Sequence, residues 1–457
     1  MLLSLILIPL ISSIIIIIGK NKGRLISLIV SIINMILTLT IYIKWNNNNV
    51  GYQIIENWWN IVHIGIDSIS LIMIILTSIV MCLSTLASWR SIQSKLFYFY
   101  ITIMSSILMG VFLTLDLIPF FICFEGSLIP MFLLIGTYGS NKERKIYAAF
   151  SIMLTTLIGS LIMLLTILSI YSYIGSNVYI IANDITYERQ NILWLGLLAA
   201  LGIKTPIIPF HLWLPEAHTE ANISGSIILA GVLLKLATYG YLRLSIGLMP
   251  YASYYYTPLI YAISITSLIY SSLSTLRQID LKKIIAYSSI GHMSLVNIGL
   301  FSNNLTGIFG GLLLSFAHGI VSPALFLLVT FLYDRYHTRI IFYFRGLNFF
   351  MPIFSTFFFL FTLANMATPL TGNFNGELLI LSGSWLHNPI SVILAALAII
   401  LSAAYSIWLF NRVSFGTVKL FRSYDITRFE FSLLFPCILI ILILGINPNL
   451  LFLPYII

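Results

Sequence analysis

Charge is scarce in this sequence. Only 8% of its 457 residues are Asp, Glu, Lys or Arg, against about 25% in ordinary soluble domains. A chain that is 59% hydrophobic lacks the polar residues to coat a water-exposed surface. That excludes a soluble globular fold, and it excludes disorder. Cysteine is nearly absent: Cys82, Cys123 and Cys437 lie far apart, each inside an apolar run. No CxxC and no metal-ligand spacing occurs, so neither a disulfide framework nor an iron–sulfur site is written here. GxGxxG, P-loop and HExxH patterns are missing too, which leaves no recognisable site for a nucleotide, a flavin or a haem. The net charge of +9 is spread over short loops, with no long basic run interleaved with aromatics, so nucleic acid is not a partner.

What is abundant is long apolar sequence. About 20 apolar residues cross a bilayer, and runs of that kind centre on residues 2–19, 25–44, 64–89, 96–114, 116–138, 147–174, 191–210, 222–246, 255–275, 283–301, 305–333, 349–386, 389–411 and 430–453. The expected fold is an all-α integral membrane protein of about fourteen transmembrane helices. The first run has no basic segment before it and no small-residue cleavage site after it, so it reads as a permanent helix and not a signal peptide.

Basic residues alternate between loops. Lys20, Lys22 and Arg24 mark the first loop, Arg90 and Lys95 the third, "NKERK" the fifth. Arg277, Lys282 and Lys283 mark the ninth, Arg335, Arg339 and Arg345 the eleventh, and Arg412, Lys419, Arg422 and Arg428 the thirteenth. Basic loops stay on the side of synthesis, so the odd loops are expected there and both termini opposite. Glu216 and Glu220 in the seventh loop break the pattern.

Four charged residues fall deep inside the runs, away from their ends: Glu125, Lys204, Lys235 and Glu377. His292 and His318 lie at similar depth. A charge at the bilayer centre costs about 2.5–3.5 kcal/mol on insertion scales. A single buried Glu–Lys pair can be a static brace, and a single buried His a satisfied hydrogen-bonding residue. Six such residues on six separate spans, all able to gain or lose a proton and with the four charges summing to zero, point instead to a hydrated proton path.

Two spans are broken. "LGIKTPIIPFHLWLPEAH" places Pro206, Pro209 and Pro215 after Lys204, and "ANMATPLTGNFNGELL" places Pro369, Gly372 and Gly376 before Glu377. Proline frees backbone carbonyls, and in lipid these are tolerated only where protein or cavity water satisfies them. The breaks fall in helices 7 and 12, five spans apart, each with a Thr-Pro pair. Corresponding interruptions suggest two inverted five-helix repeats, helices 4–8 and 9–13, around a mid-membrane site. The expected organisation is a three-helix segment (1–95), a first repeat (96–250), a second, inverted repeat (251–412) and a C-terminal helix (413–457).

The stretch "GIKTPIIPFHLWLPEAHTEANISGSIILAGVLLKLATYG" closely resembles the core of the antiporter-like, proton-pumping subunits of respiratory complex I, and is similar to Mrp-type antiporters. "FEGSLIPMFLLIGTYG", "ERKIYAAFSIMLTTLIGS", "DLKKIIAYSSIGHMSLV" and "LSFAHGIVSPALFLL" fit the same family in the same order. Asn222, where proline is common, and Pro209, where glycine is common, depart from it.

The resemblance implies a Glu125–Lys204 pair whose separation tunes the proton affinity of the lysine. It implies that Lys235 lies between the halves, that His292 and His318 continue the relay, and that Glu377 is the terminal carrier. Glu at that last position marks one branch of the family, where paralogues carry Lys. His211 and His218 take a secondary part in hydrating or loading the first half.

It further implies a subunit of an NADH:ubiquinone reductase that translocates protons without a redox centre of its own. NADH, FMN, iron–sulfur clusters and ubiquinone are then expected in other subunits. Expected partners are the other membrane-arm subunits of complex I, including neighbouring antiporter-like subunits and a lateral helix, and membrane lipid such as cardiolipin. The bias toward Ile, Asn, Tyr and Phe fits an AT-rich organelle genome and so the mitochondrial inner membrane. Two other readings remain: a free-standing Na⁺/H⁺ or K⁺/H⁺ antiporter subunit of Mrp type, and a scaffold whose buried charges are only braces.

Overall fold

The computed structural model describes residues 1–19, 22–46, 51–58, 62–90, 94–174, 186–417 and 424–451. Lys20, Lys419, Arg422 and most of the polar stretch 175–190 lie outside the described residues. In chain order the elements are α1 (Leu2–Ile18), α2 (Gly23–Ile43), β1 (Ile54–Trp58), β2 (Val62–Ile66), α3 (Ser68–Ala87), α4 (Lys95–Leu113), α5 (Leu117–Gly126), α6 (Leu128–Tyr138), α7 (Lys142–Ile174) and α8 (Tyr187–Lys204). They continue with α9 (Trp213–Glu220), α10 (Ile223–Ile228), α11 (Leu234–Gly240), α12 (Pro250–Tyr255), α13 (Thr257–Arg277), α14 (Leu281–Leu300), α15 (Leu305–Tyr336), α16 (Pro352–Asn365), α17 (Gly372–Trp385), α18 (Pro389–Ser414) and α19 (Arg428–Ile446).

Among the described residues, ten helical stretches are long and apolar enough to cross a membrane. The shorter α1, the more polar α8 and α14, and the interrupted pair α16–α17 account for the other expected spans. The sequence reading contained no strand, but the structure has a small antiparallel hairpin, β1–β2, with Ile54 opposite Ile66 and Trp58 opposite Val62. It takes residues 64–66 out of the third expected span. The Leu115 N–H bonds the His63 carbonyl at 2.9 Å, and Asp67 then caps α3 in a capping box with Ser70, so the helix starts only at Ser68.

The chain forms two compact units. Among the described residues, the first holds Met1–Thr205 and Glu220–Tyr256; the second holds Pro206–Thr219 and 257–451. Within the first, α1 and α6 pack on α4, α2 and α10 on α3, and α7 on α8. Its most buried stretch is Ile223–Ile246, 94% buried over its most apolar window, in which π-helical turns at Leu229–Leu233 and Tyr241–Ile246 flank α11. Within the second, α15 is the central rod, wholly buried over its most apolar window and packed against α14, α16, α17 and α19. α15 carries His318, Ser315 and Ser322 together with Gly307, Gly310, Gly311 and Gly319, polar and small residues that membrane helices turn toward one another and not toward lipid.

Both breaks form where proline forbids the ladder. α8 ends at Lys204, Thr205 closes it through its N–H to the Leu201 carbonyl, and the chain turns until α9 begins at Trp213. Pro215 falls in the first turn of α9, where a missing N–H is harmless. Between α16 and α17 the backbone turns through Ala367 (φ 56°) and Leu370 (φ 73°). Positive φ at residues other than glycine is strained, and these two flank Thr368–Pro369. The fifth span is interrupted at one residue: α5 stops at Gly126 and α6 starts at Leu128, with Ser127 between them still at helical angles (φ −64°, ψ −22°). Pro130 lacks the N–H that would bond the Gly126 carbonyl four residues back.

Candidate functional site

The six relay candidates fall into two sets, one in each unit. Glu125, Lys204 and Lys235 belong to the first unit, and His292, His318 and Glu377 to the second. His211 and His218 also belong to the second unit.

In the first unit, Lys204 is buried at the last turn of α8. Its Nζ donates to the Phe124 carbonyl at 2.7 Å and lies 3.1 Å from the centre of the Phe124 ring. The Phe124 carbonyl also accepts from Ser127 Oγ at 2.8 Å, at the α5–α6 interruption. The next residue is Glu125, which interacts electrostatically with Lys204 but makes no contact ion pair with it. Its Oε1 is buried without a hydrogen bond. The ammonium is thus held by a neutral carbonyl and an aromatic face next to the carboxylate.

Lys235 is fully buried on α11. Its Nζ donates to the Ala230 carbonyl at 2.5 Å, within the π-helical turn that precedes it. Such turns recur at functional sites because they displace carbonyls from the regular ladder.

In the second unit, His292 Nδ1 on α14 and Glu377 Oε1 on α17 are 3.3 Å apart, and the His318 ring on α15 lies 5.2 Å from that of His292. Three helices thus bring the three titratable groups into one cluster. Beside it is a cavity of about 20 Å³, enough for ordered water. His292 and Glu377 line it together with Ser271, Ser288, Ser402 and Tyr405.

Glu377 is placed by its neighbour Gly376. A Cβ on Gly376 would stand 2.8 Å from Leu314 Cβ and 2.9 Å from its backbone, so α17 and α15 touch backbone to backbone. Gly310 makes the same kind of approach to Ile380. Small residues at such seams let membrane helices close up. Asn373 Nδ2 bonds the Ala364 carbonyl at 2.9 Å, and Asn375 Nδ2 bonds the Leu444 and Gly445 carbonyls at 3.1 and 2.8 Å. These amides satisfy carbonyls around the second break, as a water-poor setting requires.

The two secondary candidates each meet an aromatic ring. The His211 ring meets Tyr270 edge-on at 5.4 Å, and His218 stacks on Phe326 at 4.4 Å. Glu216 on α9 pairs with Lys283 at 2.9 Å. Asn222, where the family commonly has proline, caps α10 by accepting from the Gly225 N–H at 2.7 Å. The Ile208–Pro209 bond is cis.

Sequence reasoning missed the serines and Tyr405 around the cavity, since single hydroxyls in apolar runs give no signal of their own. It also missed an ion pair between Arg243 and Asp67. Asp67 and Arg243 each lie within four residues of the end of an apolar run, where a charge can reach the interface, so neither stood out.

Lys204 beside Glu125 in one unit, and His292, His318 and Glu377 in the other, mark a helical membrane protein that carries titratable groups inside its spans. The family model described as "NADH:quinone oxidoreductase/Mrp antiporter, TM" matches residues 114–402, and the chain belongs to this family. A relative from Mycosarcoma maydis named NADH-ubiquinone oxidoreductase chain 4 is 45% identical over 442 residues, covering 94% of this chain and 91% of that protein. A chain in the structure of respiratory complex I from Thermus thermophilus with bound NADH is 26% identical, with a TM-score of 0.89, covering 98% of this chain and 96% of that one. A chain of the Mrp complex from a Dietzia species has a TM-score of 0.90 at 17% identity, covering 98% of this chain and 95% of that one; this is a likeness of fold.

Proposed function

We propose that this chain is a proton-translocating membrane-arm subunit of respiratory complex I, working as part of an NADH:ubiquinone reductase in the mitochondrial inner membrane. The observation that carries the proton reading is Lys204, held by the neutral Phe124 carbonyl beside Glu125. An ammonium tied to a neutral acceptor can become an amine without leaving an ion-pair partner stranded.

In this reading, a charge arriving near Glu125 loosens its electrostatic hold on Lys204 and releases the lysine's proton. Lys235 takes part next, then the set in the second unit, His318, His292 and Glu377. Glu377 is the terminal carrier, and the cavity beside it admits water. Such a step needs a difference in energy between two states of the site, which redox chemistry in other subunits supplies. NADH, flavin, iron–sulfur clusters and quinone are bound there, while this chain contributes the path. Neighbouring membrane-arm subunits, a lateral helix and lipid are its partners.

The relatives' shared name, over nearly the full length of both chains, favours this reading over a free-standing Mrp-type antiporter. The test is Lys204→Ala in the assembled complex. Coupled NADH oxidation and proton uptake should both fall to background. Wild-type proton uptake in that variant overturns the relay, and sodium or potassium transport by the purified chain alone would support the antiporter instead.

A further inference from the structure

We propose that Arg243 and Asp67 seal the hairpin end of the first unit against protons, so that a proton on Lys235 cannot leave that way. This inference rests on the proton-translocating reading above. Arg243 lies eight residues after Lys235 on the same helical stretch, about 12 Å along it at 1.5 Å per residue. Its guanidinium pairs with Asp67, and that carboxylate is itself fixed, accepting the Ser70 N–H at 3.0 Å in the cap of α3.

The Tyr52 and Tyr239 rings flank the guanidinium at 5.4 and 5.2 Å. Tyr239 is in turn anchored: its hydroxyl donates to the Phe112 carbonyl at 3.2 Å, and its ring meets Phe112 edge-on at 5.1 Å. The cation is therefore clamped between rings and bonded to a carboxylate that cannot swing away.

Three consequences follow from the chemistry. A guanidinium does not give up its proton, so it cannot serve as a relay step. A fixed cation in a narrow passage repels an approaching hydrated proton, the way an arginine excludes protons from water pores. Proton transfer to Asp67 would have to break the ion pair first. The Lys235 ammonium, meanwhile, is turned toward Ala230, away from Arg243. Between the two, the titratable residues of the helix are Tyr239 and Tyr241: the Tyr239 hydroxyl donates to the Phe112 carbonyl, and the Tyr241 hydroxyl lies 3.4 Å from the Thr205 hydroxyl.

The test uses vesicles containing the whole assembled complex, with NADH oxidation, proton uptake and passive proton conductance all measured per assembled complex. Arg243→Gln and Asp67→Asn should keep NADH oxidation, lower the protons moved per NADH and raise passive conductance several-fold. Arg243→Lys, which restores the cation, should recover most of the tightness. If Arg243→Gln assembles poorly, Arg243→Lys and Asp67→Asn read the same quantities. Wild-type coupling and conductance per complex in Arg243→Gln or Asp67→Asn, or a lysine variant as leaky as the glutamine one, overturn the seal and leave a structural brace. If Lys204→Ala still pumps, the parent reading has failed. If it does not pump while Arg243→Gln stays tight, only the seal has failed.

Discussion

His292 Nδ1 and Glu377 Oε1 face each other at 3.3 Å across two helices, with both side chains buried. The distance is a direct contact, longer than a tight charged hydrogen bond. Glu377→Gln keeps the shape and removes the acid. Proton translocation should fall by about 10²-fold, the low end of what a positioned proton-transfer group contributes, with assembly unchanged. Proton uptake per NADH in vesicles measures it, and uptake within a factor of two of wild type would remove Glu377 from the path.

The seam between α15 and α17 sets where that carboxylate stands. A Cβ at position 376 would lie 2.9 Å from the Leu314 backbone, and backbone cannot yield as a flexible side chain does. Gly376→Ala should push α17 outward, separating Glu377 from His292, and Gly376→Val should do so more. Overpacking typically costs about 1–3 kcal/mol, so thermal stability of the assembled complex should fall along with activity. A fully active, equally stable Gly376→Val would show that the seam does not position Glu377.

Asp280, in the loop ahead of α14, carries a pH signature. Burial raises its pKa from the ordinary 3.8, against the opposing pull of Arg339, the Lys282 N–H and the Lys282 and Lys283 charges. An acid with a raised pKa in the folded state holds its proton more tightly when folded. Its stabilising contribution is present in full at pH below 3.8 and is lost as pH rises through the raised value. Asp280→Asn keeps the cap, since Asn and Asp cap equally well, and removes the buried charge. Thermal midpoints should match or exceed wild type at neutral pH and lose part of their acid-side pH dependence. A neutral-pH loss in the Asn variant would show that the surrounding cations outweigh burial.

Arg335 ties together the ends of several elements. Its Nη2 bonds Glu430 Oε2 at 2.6 Å and the Asp425 carbonyl at 3.2 Å, its Nε the Tyr424 carbonyl at 3.0 Å, and its Nη1 the Phe331 carbonyl at 2.8 Å. Asp425 in turn caps α16 through the Ile353 and Phe354 N–H groups. Removing one partner of a buried pair costs about 3–5 kcal/mol. Arg335→Ala should therefore reduce the assembled subunit sharply, measured by native-gel abundance and thermal midpoint. Arg335→Lys should rescue it only in part, because an ammonium cannot fork to so many acceptors.

How much of this was legible depended on how local each cause is. Pro206 and Pro369 announce their breaks because a missing N–H acts within one turn, whatever packs nearby. The depth of Lys204, Lys235 and Glu377 was readable because charge in an apolar run is so costly. The binding of Lys204 by Phe124 was not, since it depends on which carbonyl the α5–α6 interruption turns toward α8. The π-helical turns around Lys235 and the glycine seam at Gly376 depend on the helix lying opposite, and spacing within one segment carries no record of that. The hairpin escaped because its partner contact, Leu115 to His63, spans two elements. Arg243 sits near the end of its apolar run, and nothing in that segment points to Asp67 as its partner.

The glycine seam has one more consequence. Where α15 and α17 meet backbone to backbone there is no room for even a methyl group, so no water can thread between them. The serines and Tyr405 gather around α13, α14 and α18 instead. Glu377 therefore has a packed side against α15 and an open side against the cavity, and in the proposed relay its proton exchanges on the open side. In that reading, access to this carboxylate is limited by the absence of side chains behind it as much as by the groups in front.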